Sequence, residues 1–401
     1  MLEVEQALEI VLTGLAALST ETVALAEASG RVLAEPLDAL REQPAYANSA
    51  MDGYAIRYQD VEGTPGPARL TVVGESPAGS RERLTVTRGE AVRIFTGGPL
   101  PRGADTVVIQ ENTSNNETSL TVNAVPSLGE NVRGRGDDTK HGQRLIEAGV
   151  RLGPGEIANL ALQGVTRPCV YRRPVVGLLS SGNELIVAGP KPDFGQVTNA
   201  SSPMLAACVQ SFGGVARATH PIPDDLAAIR TALVEAAQHT DLVVITGGMS
   251  VGDYDFAARA MREEGTIDFH RVRMKPGKPL AFGTIQGTPM LGLPGNPVSS
   301  FVGFELFARP AILTLAGRVD IHRRRHRLRL TRSVRRNRSR PEYLRGMIRD
   351  DGFEPHLRQG SNDLSSVLGI DGLGILPAGD DEANAGSTLD VIDLRIDGAA
   401  F

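Results

Sequence analysis

Tryptophan is absent from the 401 residues, and all aromatics together make up 4% of them. A surface that stacks unpaired bases is therefore not expected. Only two cysteines occur, Cys169 and Cys208, far apart and in no C-x-x-C or zinc spacing. No basic residue precedes Arg31, so the opening segment lacks a signal-peptide charge pattern. No run approaches the ~20 apolar residues of a membrane span. The expectation is a cytoplasmic, disulfide-free protein that does not associate with membranes. A net charge of −5 argues against a nucleic-acid partner for the chain as a whole. Histidine is scattered, without HExxH or a ligand cluster. No GxSxG, P-loop or Rossmann fingerprint occurs, so hydride transfer and Walker-type ATP hydrolysis find no support.

Lysine is nearly missing too. Of 42 basic residues only Lys140, Lys191, Lys275 and Lys278 are lysines, and two of these fall within four residues. A compact, strongly hydrated ammonium is called for where arginine would not fit.

Against these absences stand 45 glycines and 25 prolines, with no collagen-like period, which predicts many turns and backbone-lined loops. Length alone predicts two or three domains, and texture divides the chain into four regions. Residues 1–43 read as two helices: Leu2, Ala7, Leu8, Val11 and Leu15 form a stripe, and Thr20 precedes a second apolar stretch. Together with 141–172, partly helical, they are expected to form a discontinuous helical linker domain. Between them, 44–140 carries short β-branched runs at 70–73, 84–86, 92–95, 106–109 and 120–122, with Ser114-Asn115-Asn116 in a hairpin. This is an inserted β domain. From 173 to 318, continuous apolar strands alternate with helices, predicting a doubly wound, mostly parallel α/β sheet. Residues 319–401 read as a last, all-β domain.

Three junctions of the α/β region share one construction. Strands run into Ser181-Gly182-Asn183-Glu184, into Thr246-Gly247-Gly248-Met249-Ser250-Val251-Gly252-Asp253, and into Pro294-Gly295-Asn296-Pro297. Asn296 is the expected N-cap and Pro297 the first helical residue. Ligands of parallel sheets bind beyond the carboxyl ends of strands, where glycine lets backbone N–H groups approach an anion. Any one such turn also satisfies purely conformational needs. Three in one domain, with Lys275-Pro276-Gly277-Lys278 between them, point to a phosphorylated ligand. Glu184, Asp224, Asp225, Asp253 and Asp255 fall at the same loops, which suits Mg²⁺ held partly by ligand phosphates. Asp224, Asp225 and Asp255 also sit at helix starts, where capping alone accounts for them. The ten arginines from His322 to Arg340 come without aromatics and read as a solvated strand edge blunted by charge. Arg340 and Arg345 are candidate anion contacts.

Six strings resemble the MoeA-type molybdopterin molybdenumtransferases, the family that includes the E domain of gephyrin. They are NSAMDGYA at 48–55, RIFTGGPLPRGADTVV at 93–108, GENVRGRGDD at 129–138, TGGMSVGDYD at 246–255, KPGKPLAFG at 275–283 and GLPGNPVSSF at 292–301. The resemblance covers nearly the whole chain. It implies a helical linker domain, an inserted β domain, a MogA-like three-layer α/β molybdopterin-binding domain and a C-terminal β-barrel, assembled as a homodimer with a cleft between subunits. The implied reaction inserts molybdate into adenylylated molybdopterin with Mg²⁺, releasing AMP. The molybdopterin adenylyltransferase and apo-molybdoenzymes are implied partners.

By motif, Ser181, Gly182, Thr246, Gly247, Gly248, Ser250, Gly252 and Pro294, Gly295, Asn296, Pro297 would bind the pterin phosphate and nucleotide. Glu184, Asp225 and Asp255 would organise Mg²⁺ or the reacting oxyanion, and Lys275 and Lys278 would supply positive charge. Asp52 and Thr96 would complete the cleft across the dimer, and Arg345 and Ser361 would contribute from the barrel. The chain departs from the family pattern at Asn199-Ala200-Ser201 (usually Asp-Ser-Asn), at Asn183 (usually Asp) and at Ile370-Asp371 (usually Ala-Asn). Two other readings share the α/β domain. A molybdopterin adenylyltransferase needs neither the other three regions nor the KPGK loop, and a gephyrin-like scaffold is expected to carry a long linker and a further fused domain.

Overall fold

The computed structural model describes residues 1–116, 118–249 and 256–395. The chain divides into two compact units, one of Met1–Glu35, Ala148–Ala158 and Thr166–Phe401, the other of Pro36–Glu147 and Asn159–Val165.

In the first unit a six-stranded sheet is built from β1 (Val175–Ser180), β2 (Val215–Ala218), β3 (Leu242–Thr246), β4 (Gly265–His270), β5 (Ala281–Ile285) and β6 (Thr288–Leu293). Strand order is β2-β1-β3-β6-β5-β4. The first four are parallel, and β5 and β4 are antiparallel additions at one side. Continuous apolar strands are sorted to two faces by the period of 2. Val176, Leu178, Leu242, Val244, Leu291 and Leu293 face one core, with α1 (Ser201–Ser211) and the helical run Pro297–Leu315. Leu179, Val243, Ile245 and Met290 face another, with α2 (Leu226–His239) and α3 (Phe256–Glu264). The result is the expected three-layer, doubly wound arrangement.

The run Pro297–Leu315, α4, is 19 residues long and apolar enough to cross a membrane, but it is 89% buried within the protein. It is a core helix. A π-helical turn at Phe304–Ala308 interrupts it and carries the buried Glu305, which Arg323 pairs at 2.9 Å. Burial pushes the Glu305 carboxyl up, while Arg323 and Arg309 oppose the shift.

The N-terminal helix Val4–Thr13 starts in a capping box between Glu3 and Gln6 and buries Val4, Ala7 and Val11 against the first core. The second helix expected after Thr20 does not form. Thr20–Thr22 pairs antiparallel with Cys169–Tyr171, and only a 3₁₀ turn follows at Leu25–Glu27. A β-branched Thr-Glu-Thr-Val stretch favours extended backbone once a partner strand is present.

Besides the two-stranded ladder of Val334–Arg335 with Glu382–Ala383, the end of the described chain forms a sheet from five strands, Arg325–Arg329, Glu342–Arg349, Gly352–Pro355, Gly372–Leu376 and Thr388–Asp393. A bridge between Leu330 and Phe353 joins the two edges of their sheet, so it closes as a barrel around Leu344, Phe353, Leu389 and Val391. The arginines of Arg325–Arg329 alternate outward as expected. The strand is not a free edge, however, because it pairs with Thr388–Asp393 and the bridge continues its other side.

The second unit holds a six-stranded sheet, in the order Thr106–Ile109, Gly53–Ile56, Glu90–Ile94, Ala68–Ser76, Ser119–Val122 and Thr113–Asn116. Its core is Tyr54, Ile56, Leu70, Val108, Leu120 and Val122. The run at 84–86 contributes only a bridge from Thr85 to Arg102.

Candidate active site

The cleft is built by register. Ser180, Thr246 and Leu293 are neighbours across β1, β3 and β6, so the three Gly-rich turns leave the sheet side by side at its carboxyl end. Between them lies a cleft of about 780 Å³, reached by Ser181, Gly182, Glu184, Thr246, Gly247, Gly248, Pro294, Gly295, Asn296 and Pro297. Asn362 and Leu364 border it from the barrel.

Close backbone approach explains the glycines. Gly247 has φ +92°, and a Cβ there would meet the Ser181 carbonyl oxygen at 2.4 Å. Only glycine fits. Ser300 Oγ donates to the Pro294 carbonyl at 2.6 Å and fixes the third turn. Asn296 occupies the N-cap position of α4 and Pro297 follows at its start, as expected, but the Asn296 side chain makes no capping bond. Its Nδ2 donates instead to Ser361 Oγ at 3.0 Å. The first-turn N–H groups of a long helix thus have no side-chain cap among the described residues, an arrangement suited to phosphate.

Beneath the floor runs a polar chain that the sequence did not reveal. Ser180 Oγ lies 2.9 Å from Thr246 Oγ1 and 3.0 Å from Ser202 Oγ. Asn199 Nδ2 donates to Ser202 Oγ at 3.1 Å, and Asn199 Oδ1 accepts from the Ser202 N–H at 3.1 Å. Asn199, one of the departures from the family pattern, therefore supports the start of α1 with a neutral amide, and it also borders the cleft. The Ser181 hydroxyl is buried and has no hydrogen-bond partner among the described residues.

The acidic residues sort differently from expectation. Glu184 borders the cleft. Asp225 caps α2, accepting from the Ala228 N–H at 2.9 Å, and Asp224 borders the cleft in its place. Asp224 is held by Asn183 in a reciprocal pair, backbone N–H to side-chain oxygen in both directions. Asn183 contributes its backbone N–H and side-chain oxygen to this pair without placing a second negative charge beside Asp224. Ser250, Gly252, Asp253 and Asp255 lie outside the described residues. Among the described residues no three His, Cys, Asp or Glu side chains converge as a metal cage. Two carboxylates plus ligand phosphates is a donor set that Mg²⁺ accepts, so Glu184 and Asp224 fit an ion shared with a bound polyphosphate.

Lys278 is exposed, and Lys275 pairs through Nζ with Glu342 Oε1 at 3.1 Å. Pro279, just beyond them, borders the cleft. Arg345 is not the exposed anion contact expected of it. It is fully buried, its Nε donates to Ser366 Oγ at 2.8 Å and its Nη2 to the Gly360 carbonyl at 3.1 Å. Burial pulls its guanidinium down to about 10. It holds the loop that carries Ser361. Arg340 likewise spends Nη1 on the Met274 carbonyl, at 3.0 Å.

In the second unit, Asp52 Oδ1 accepts from both the N–H and the Oγ1 of Thr96, each at 2.8 Å. These bonds, the backbone one foremost, hold the Asp52 carboxyl below its ordinary range.

Three family models cover most of the chain: "MoeA N-terminal region (domain I and II)" at residues 2–164, "Probable molybdopterin binding domain" at 177–314 and "MoeA C-terminal region (domain IV)" at 327–394. A Nostoc sp. protein named molybdopterin molybdenumtransferase is 34% identical over 394 residues, 94% of this chain and 89% of that protein. The chain belongs to the MoeA family of molybdopterin molybdenumtransferases. A second relative, molybdopterin molybdenumtransferase 2 of Mycobacterium tuberculosis, is 34% identical over 93% of the chain and 95% of its own length. The solved MoeA protein of Pyrococcus horikoshii superposes with a TM-score of 0.86 at 29% identity, over 98% of this chain and 100% of that one. In this MoeA-family chain, residues 177–314, the stretch matched as molybdopterin-binding, include all three cleft-forming turns.

Proposed function

We propose that this protein inserts molybdate into adenylylated molybdopterin and releases AMP. The observation that carries the reading is the level exit of the three Gly-rich turns, which gathers backbone N–H groups and the uncapped α4 N-terminus around one cleft. An extended pyrophosphate needs several donors along its length, and fixed backbone dipoles supply them without reorganisation. The Ser181 hydroxyl, without a partner among the described residues, offers one more donor.

The two thiolates, the oxyanion and the phosphates all carry negative charge. Mg²⁺, when bound, would neutralise phosphate charge as AMP departs. Glu184 and Asp224 would hold it, with Asn183 fixing the Asp224 carboxylate. Lys275 and Lys278 would draw molybdate toward the dithiolene. Asp52 and Thr96 would act from the β domain of a homodimer partner, and the setting is cytoplasmic.

Incubating the purified protein and Mg²⁺ with adenylylated molybdopterin, with and without molybdate, tests this. Molybdate-dependent AMP release is expected. Release indifferent to molybdate, or binding without release, would overturn it.

A further inference from the structure

Glu342 opens the barrel strand Glu342–Arg349 with a buried charge. Its carboxylate is 5% exposed, while the Lys275 side chain it pairs with is 41% exposed. Lys275 Nζ lies 3.1 Å from Oε1 and 3.2 Å from Oε2, so one ammonium serves both oxygens and still presents a side to water. Docking of the lysine segment does not require this pair. The Lys275 N–H donates to the Pro341 carbonyl at 2.9 Å and the Tyr343 N–H donates to the Lys275 carbonyl at 2.8 Å. Arg340 and Arg273 add bonds to the Met274 and Ser339 carbonyls. With the backbone already stitched, an apolar side chain at 342 would hold the strand as well or better, because a buried ion pair seldom outperforms packing. The carboxylate therefore needs an electrostatic explanation.

We propose that Glu342 is a positioning residue for Lys275, the counter-ion that fixes its ammonium beside the KPGK loop and sets how strongly it attracts an oxyanion. The inference rests on the molybdate-inserting reading above. Both Glu342 oxygens engage the ammonium, so a dianion approaching its exposed side competes with the carboxylate for the same charge. Neutralising position 342 removes that opposition and strengthens attraction through Lys275 alone.

Equilibrium dialysis of molybdate against the full-length protein, with metal analysis of both chambers, reads this directly alongside the molybdate dependence of AMP release. Glu342→Gln is expected to lower the half-saturating molybdate by about three- to tenfold at low salt, the scale of one nearby, partly screened charge. Lys275→Met is expected to raise it, and adding Glu342→Gln to Lys275→Met should change nothing further, because coupled residues are non-additive. A purely structural role would give additive losses instead. Should Glu342→Gln fail to fold, Glu342→Asp draws the carboxylate back by one methylene and should shift the titration the same way by a smaller factor. An unchanged or weakened titration in a folded Glu342 variant, or a shift that persists without Lys275, overturns the inference and leaves the reaction standing. A wild-type protein that neither binds molybdate nor releases AMP overturns both.

Discussion

Asn296 reaches from the first turn of α4 to Ser361 in the barrel, its Nδ2 donating to the serine Oγ at 3.0 Å. One wall of the cleft is thereby tied to the other within the same unit. Ser361→Ala removes the acceptor but no apolar packing. Stability should stay within about 0.5 kcal/mol, while apparent affinity for adenylylated molybdopterin should weaken by roughly two- to tenfold, one hydrogen bond's worth. Thermal melts and a substrate titration measure the two separately.

Arg345 holds the loop behind Ser361. Arg345→Lys keeps the charge but cannot reach both Ser366 Oγ and the Gly360 carbonyl. The loss should be about 2–4 kcal/mol, since buried partners are left unsatisfied. Hydrogen exchange should accelerate most between residues 356 and 366.

Asp52 and Thr96 predict an acid-side effect. The Asp52 carboxyl is lowered from 3.8 by the backbone N–H of Thr96 first and its hydroxyl second. A carboxyl lowered in the folded state stabilises the fold above its unfolded value, and that contribution is lost as pH falls through the folded value. Thr96→Val deletes the hydroxyl bond and keeps the N–H bond. The Asp52 carboxyl should rise part-way toward 3.8, so its contribution should be smaller and its loss should be complete at a higher pH. Carbon NMR titration of the Asp52 carboxyl tests this.

Gly247→Ala places a Cβ 2.4 Å from the Ser181 carbonyl oxygen at φ +92°. Such a backbone position costs a non-glycine residue on the order of 1–3 kcal/mol, before any displacement of the first turn is counted. Urea unfolding should show that loss, and AMP release should fall further than stability alone explains.

Much of this was legible in the sequence. The continuous apolar strands foretold a sheet covered on both faces, and the Gly-rich turns foretold the cleft, because backbone geometry dictates both locally. Pro297 marked the start of α4 for the same reason. The second N-terminal helix failed because Thr20–Thr22 gained a partner strand at Cys169–Tyr171, which no local period records.

The site's finer assignments belong to the tertiary structure. Asp224 and Asp225 are adjacent in sequence, and only the direction of the chain into α2 decides which carboxylate caps the helix and which meets the cleft. Arg345 reads as an anion contact until the barrel closes over it. Lys275 is conspicuous in an arginine-rich chain, but its counter-ion lies 67 residues away, and the buried Thr246–Ser180–Ser202–Asn199 chain forms only where a strand end meets a helix start. Composition and periodicity determine which elements form, because they act through neighbours along the backbone. Which polar group is left facing the cleft is decided by packing, where each donor or acceptor taken by a buried partner is withdrawn from a ligand.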